Sequence, residues 1–141
     1  MAVNNPATDR NMASALLVLR ATLGIFLLQW GVEKFVVPEN TPAIWNYFYG
    51  LTLPQAAAYF FGVVEIALAV CLLLGVFRTI AYAAAMLLHA VSVLVSWRQL
   101  ADPWADPVNH LFIAGIPVLG AFIALFLLRS FDRGVLDRAA S

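Results

Sequence analysis

Three ionisable side chains stand inside long apolar runs of this chain: Arg20, Glu65 and His89. A charge at bilayer depth is costly, and one that persists faces other helices, a partner or a water-filled path. A carboxyl, a guanidinium and an imidazole at such depth can form a structural ion pair, relay a proton or recognise a polar headgroup. At ~1.5 Å of rise per residue, Glu65 falls near the midplane of its run, and His89 near the midplane slightly to the outer side. Arg20 lies about 9–10 Å from the inner end of the first run, and its stem can reach toward Glu65 or back to the interface. The residues leave several readings open. Glu65 pairs with Arg20 or with His89, the Arg20–Glu65 pair fixes packing register or forms a functional polar centre, and His89 hydrogen-bonds a neighbouring helix or binds a ligand. His89 and His110 make a poor haem pair, with His110 about 9 Å higher on the helix-rise scale.

These groups share helix faces with small residues. Arg20, Gly24, Leu27, Gly31 and Lys34 recur at steps of three and four, as do Ala58, Gly62, Glu65, Ala69 and Leu72. Small residues let helix backbones approach closely in membranes. A third face carries Tyr82, Met86, His89, Val93 and Ser96, with Ser92 close by. A fourth offers Gly120 and Ala124, with Pro117 as a kink. Asp102, Asp106 and His110 stand at spacing four, but Pro103 and Pro107 break the helix that would align them, so no metal site is expected. The one cysteine, Cys71, can form neither an internal disulfide nor a redox pair. The chain carries no HExxH, Walker, GxGxxG or GxSxG motif.

The elements that position these groups follow from composition. The chain is 63% hydrophobic and 11% charged, against about 45–50% and about 25% for soluble domains. Its apolar residues cluster in four runs, about residues 13–31, 53–76, 80–97 and 108–128. Each approaches the roughly 20 residues that a helix needs to cross a hydrocarbon core, and unpaired backbone in lipid excludes irregular alternatives. The expected fold is all-α, a transmembrane four-helix bundle over 13–130, with a polar segment at 1–12 and a cytoplasmic tail at 131–141. The first run is too long, and too clearly interrupted by Arg20, to be a signal peptide. The loop over 32–52 contains Ala43 to Tyr49, a short aromatic-rich segment suited to the outer membrane surface. Arg10, Arg78, Arg129, Arg133 and Arg138 fall on one side, and Lys34 and Arg98 on the other. That bias predicts both termini in the cytoplasm. Formal net charge is zero, which predicts no nucleic-acid partner.

Two stretches carry a family resemblance. Leu19 to Phe26 followed by Trp30 to Phe35, and Gly62-Val63-Val64-Glu65 followed by Leu72 to Thr79, resemble the first helices of the DoxX family of small four-helix membrane proteins. Asn109 before the fourth run fits the family's polar residue there. The resemblance covers about residues 14–130. Residues 127–132 depart from it, lacking the Gly-Pro-Gly turn that many members carry. The resemblance implies Arg20, Lys34, Glu65 and Arg78 as motif residues, together with Gly24, Gly31, Gly62, Gly75 and Asn109. The family is similar to the DoxD subunit of a thiosulfate:quinone oxidoreductase, and this implies quinone as the cofactor, with no group bound covalently.

The expectation that results is an integral subunit of a quinone-linked redox assembly in a bacterial inner membrane. Its partners would be the bilayer, other membrane or periplasmic redox proteins, or copies of itself. Two rivals stand beside it: a non-catalytic assembly subunit, and a small oligomeric transporter or lipid-binding protein.

Overall fold

A computed structural model describes residues 6–106, 108–133 and 135–136. Residues 1–5 of the expected polar segment, Pro107 in the acidic loop, and Gly134 and 137–141 of the expected tail, including Arg138, lie outside the described residues. The chain is about 82% helical, and no strand occurs among the described residues. Among the described residues six α-helices follow one another: α1 Pro6–Val36, α2 Asn40–Tyr49, α3 Gln55–Leu74, α4 Arg78–Val95, α5 Trp97–Ala101 and α6 Gly115–Leu127. A 3-10 helix over Asn109–Ala114 leads into α6, and a short one over Arg129–Phe131 leaves it. The helices α1, α3 and α4, and the combined stretch Asn109–Leu127, are long and apolar enough to cross a membrane.

Helix α1 starts earlier and ends later than the hydropathy of its core predicts, so residues 6–12 are helical. Pro6 occupies the first position, where a missing N–H costs nothing. Asp9 in the first turn and Lys34 in the last complement the helix dipole. Helices α2 and α3 each end on a glycine in the left-handed conformation, Gly50 with φ 66° and Gly75 with φ 65°. After α3, the Gly75 N–H reaches the Leu72 carbonyl (3.1 Å) and the Val76 N–H reaches that of Cys71 (3.0 Å), which satisfies the last turn. Phe77, with φ 51°, completes the tight hairpin into α4, a conformation that bulky residues rarely adopt. The kink expected at Pro117 takes a different form. Pro117 lies in the first turn of α6, just after the chain changes from 3-10 to α geometry, and there the proline interrupts few helical bonds.

The bundle closes in the order α1–α3–α4–α6, with α1 against α3 as its most extensive interface. Leu16, Leu23 and Leu27 of α1 meet Ala69 and Leu72 of α3, Ala81, Tyr82 and Ala85 of α4, and Phe122 and Leu125 of α6 in one core. The outward faces are apolar too: Val18, Ile25, Phe60, Val63, Ile80, Leu87, Leu94, Leu111 and Ile116 are exposed. Such a girdle fits acyl chains as its solvent. In that solvent, helix association rests on close packing and polar contacts rather than on a hydrophobic driving force.

Glycines set the α1–α3 approach. A Cβ on Gly31 would lie 2.8 Å from Ile66 Cγ1 and 3.0 Å from the Ile66 backbone nitrogen, and one on Gly62 would lie 3.1 Å from the Gly31 carbonyl oxygen. A Cβ on Gly24 would lie 2.8 Å from Leu73. The register therefore pairs the C-terminal part of α1 with the middle of α3, and the stretch around Arg20 with the end of α3 at Gly75.

Candidate functional site

That register separates the three intramembrane ionisable groups instead of gathering them. Glu65 pairs with neither Arg20 nor His89. Its Oε2 accepts a hydrogen bond from Lys34 Nζ at 2.8 Å, one helix turn beyond Gly31 on the stripe the sequence displays. The ammonium also donates to the Trp30 carbonyl at 3.2 Å. Gly31 and Gly62 place the two backbones close enough for this contact, since a Cβ on Gly62 would lie 3.1 Å from Lys34 Cβ. Beside the pair, Glu33 Oε1 accepts from Asn40 Nδ2 at 2.7 Å, which ties the end of α1 to the start of α2. Glu65 lies about 15 Å of helical rise from the N-terminal end of α3, near the centre of that span. The Lys34 and Glu65 side chains keep 13% and 11% of their surface accessible, so the pair stays reachable from the surroundings.

Arg20 belongs to a second centre at the end of the bundle where α3 ends and α4 begins. Its Nη1 lies 3.7 Å from Asp132 Oδ2, and these two side chains are sealed, at 3% and 0% exposure. Tyr82 Oη donates to the same Oδ2 at 2.6 Å. Arg78, the first residue of α4, donates from Nη1 to the carbonyls of Arg129 and Asp132, each at 3.1 Å. Gly75 makes room for this cluster, because a Cβ there would collide with the Arg20 guanidinium and with Val135. The expected Arg20–Glu65 pair is thus replaced by two pairs. The register sets Arg20 beside Gly75, ten residues along α3 from Glu65 and about 15 Å away by helical rise.

His89 stands apart from both centres. Its Nε2 lies 3.1 Å from the Gly115 carbonyl oxygen, an acceptor, so Nε2 carries the proton and ties α4 to the start of α6. Phe26 and Phe122 flank the ring at centroid distances of 5.5 Å each. Asn109 opens the 3-10 helix before α6, donating from Nδ2 to the Asp102 carbonyl at 3.2 Å. Asp106 accepts the Val108 N–H at 2.8 Å, and Trp104 packs on His110. The acidic loop is therefore a turn, and no cluster able to hold a metal occurs among the described residues.

The aromatic segment of the first loop is helix α2. Trp45 stacks against Tyr49 at 4.7 Å and against Phe61 of α3 at 5.1 Å. Burial pushes the Tyr49 hydroxyl above its ordinary pKa. Tyr47 accepts a hydrogen bond from Gln99 of α5 at 3.2 Å.

Sequence reasoning missed Asp132 altogether and left Tyr82 on a helix face without a partner. The available signal was one acidic residue set directly between Arg129 and Arg133, just past the last span.

Against known proteins, the model of one family, described as DoxX, matches residues 15–97. The matched stretch holds Arg20, Lys34, Glu65 and Arg78 and stops short of Asp132. No curated protein and no solved structure matches.

Proposed function

The chain belongs to the DoxX family and is a multi-pass membrane protein, and from that premise we propose that it serves as an integral subunit of a quinone-linked redox assembly in a bacterial cytoplasmic membrane. The observation that carries this reading is the Lys34–Glu65 pair: two ionisable groups in contact at 2.8 Å, deep in an apolar bundle, yet still accessible. A quinone supplies electron carriage within the hydrocarbon and presents carbonyl oxygens that accept hydrogen bonds. The Lys34 ammonium is a donor for such an oxygen. The Glu65 carboxyl, adjacent to it, is a group through which a proton can be passed.

The electrons would come from a partner protein. Cys71 lies alone in α3, and His89 is committed to the Gly115 carbonyl, so neither residue offers a ligand set for a haem or iron–sulfur centre. The arginine bias supports a reading in which the α3–α4 hairpin and the cluster around Arg20 face the cytoplasm.

A second reading has its own support. Lys34, Glu65, Arg20, Tyr82 and His89 all have intramolecular partners, as expected of an assembly subunit that performs no chemistry. One experiment separates the two. The protein is purified from its native membrane in mild detergent, and the extracted lipid is analysed for quinone. The proposal expects quinone in stoichiometric amount with the wild-type chain and its loss with Glu65→Gln. Equal quinone in both removes Glu65 from the quinone site, and none in either favours the assembly role.

A further inference from the structure

The segment after α6 has an unusual way of being held. Phe131 and Leu136 are 57% and 66% exposed and Val135 is partly buried against Gly75, whereas Asp132 is 2% exposed. The most deeply held side chain of the segment is its charged one. Here a carboxylate is the buried anchor. Tyr82 Oη donates to it, and the Arg20 guanidinium stands beside it. Arg78 grips the backbone on either side through the Arg129 and Asp132 carbonyls, and the Leu136 N–H reaches the Leu74 carbonyl at 3.2 Å. Oδ1 of Asp132 finds no hydrogen-bond donor among the described residues, so the hold concentrates on Oδ2.

The receiving side is built by other elements. Arg20 comes from α1, Tyr82 from α4, and the room beside the guanidinium comes from Gly75 at the end of α3. Two donors and a cleared space converge where α3 ends, at the boundary of the bundle rather than in its middle. That is a receptor for a carboxylate. The Tyr82–Asp132 hydrogen bond is charge-assisted, the strong kind, and a site sealed from water strengthens both it and the ion pair that Arg20 adds at 3.7 Å.

We propose that this end of the bundle is a carboxylate-binding cradle, formed by Arg20 and Tyr82, which the chain keeps filled with its own Asp132. The stretch from Arg129 to Arg133 acts as a removable strap, and its withdrawal opens the cradle to a small carboxylate from the aqueous phase on that side. The proposal is independent of the quinone-linked reading, because the cradle and the Lys34–Glu65 pair lie at different depths of the α1–α3 interface.

The test uses the full chain in detergent, with two readouts. The first is tryptic cleavage after Arg129. Wild type resists it, and Asp132→Ala is cut at least about tenfold faster, as loss of a charge-assisted anchor demands. The second is thermal unfolding with added sodium formate, against sodium chloride of equal ionic strength. Formate raises the unfolding temperature of Asp132→Ala while its strap stays cleavable. It leaves wild type, and the Arg20→Ala/Asp132→Ala double variant, unchanged. Should Asp132→Ala fail to accumulate, Asp132→Asn keeps the size and removes the charge, and the same faster cleavage is expected. Cleavage at the wild-type rate in the variant overturns the strap. A formate response equal to that of chloride, or one that survives removal of Arg20, overturns the cradle.

Discussion

Lys34 Nζ and Glu65 Oε2 meet at 2.8 Å across the α1–α3 interface, although 31 residues separate them in the chain. The contact is a consequence of glycine. Gly31 and Gly62 bring the two backbones together, and the Lys34 stem then crosses to the middle of α3. The contrast with Arg20 and Asp132 is instructive. That pair is longer, at 3.7 Å, and fully sealed, whereas the Lys34–Glu65 pair is short and keeps an accessible edge. One arrangement suits holding a chain segment in place, and the other suits meeting a ligand.

Breaking the Lys34–Glu65 pair on one side leaves an uncompensated charge in the bundle. Glu65→Leu or Lys34→Met alone should destabilise the protein by about 3–5 kcal/mol, while the double variant should recover most of that loss. Thermal unfolding in detergent, run as a double-mutant cycle, checks this. Additive losses in the double variant would mean that the two side chains do not interact.

Two glycines make opposite predictions. Gly31→Ala puts a methyl 3.0 Å from the Ile66 backbone nitrogen, so the helices must part. A loss of about 1–3 kcal/mol is expected. Gly120 has nothing within 4 Å of its Cβ position, and Gly120→Ala should be neutral or stabilising by up to about 1 kcal/mol. Unfolding midpoints measured side by side decide the matter.

His89 should be structural. His89→Leu removes the tie to the Gly115 carbonyl, at a cost of about 0.5–1.5 kcal/mol, and should leave quinone content unchanged. The stability is read by unfolding and the quinone by extraction. Loss of quinone in this variant would move the ligand site toward α4 and α6.

The sequence made the four spans plain because hydropathy reports the solvent of each segment, and lipid as solvent needs long uninterrupted runs. It also displayed the glycine stripes, and Lys34 stood on the right one. It could not disclose which charge meets Glu65. A stripe names a face but not the register of one helix against another, and Arg20 and Lys34 stand on the same stripe about 21 Å of helical rise apart. Asp132 was invisible for a different reason. Its burial depends on the chain folding back after α6, and short polar tails carry no periodicity from which such a turn can be read. The Arg78 contacts to the Arg129 and Asp132 carbonyls belong to the same turn and were equally hidden.

Orientation is open to a direct check. In a Cys71→Ala background, Thr8→Cys should be shielded from an impermeant thiol reagent in intact cells, and Ala105→Cys should be labelled. The arginine bias demands this pattern, and the reverse pattern would turn the molecule over.

The most direct test of the quinone-linked role separates folding from function at the Lys34–Glu65 pair. The Lys34→Met/Glu65→Leu double variant keeps the helices packed while removing both polar groups, so its abundance in the membrane should approach that of wild type. Quinone-linked electron transfer is then measured in those membranes at matched protein level. A fall of at least about tenfold, the loss expected when a positioned acid–base group is removed, is the result the proposed role requires. Undiminished transfer at equal abundance would contradict it and leave the chain an assembly subunit.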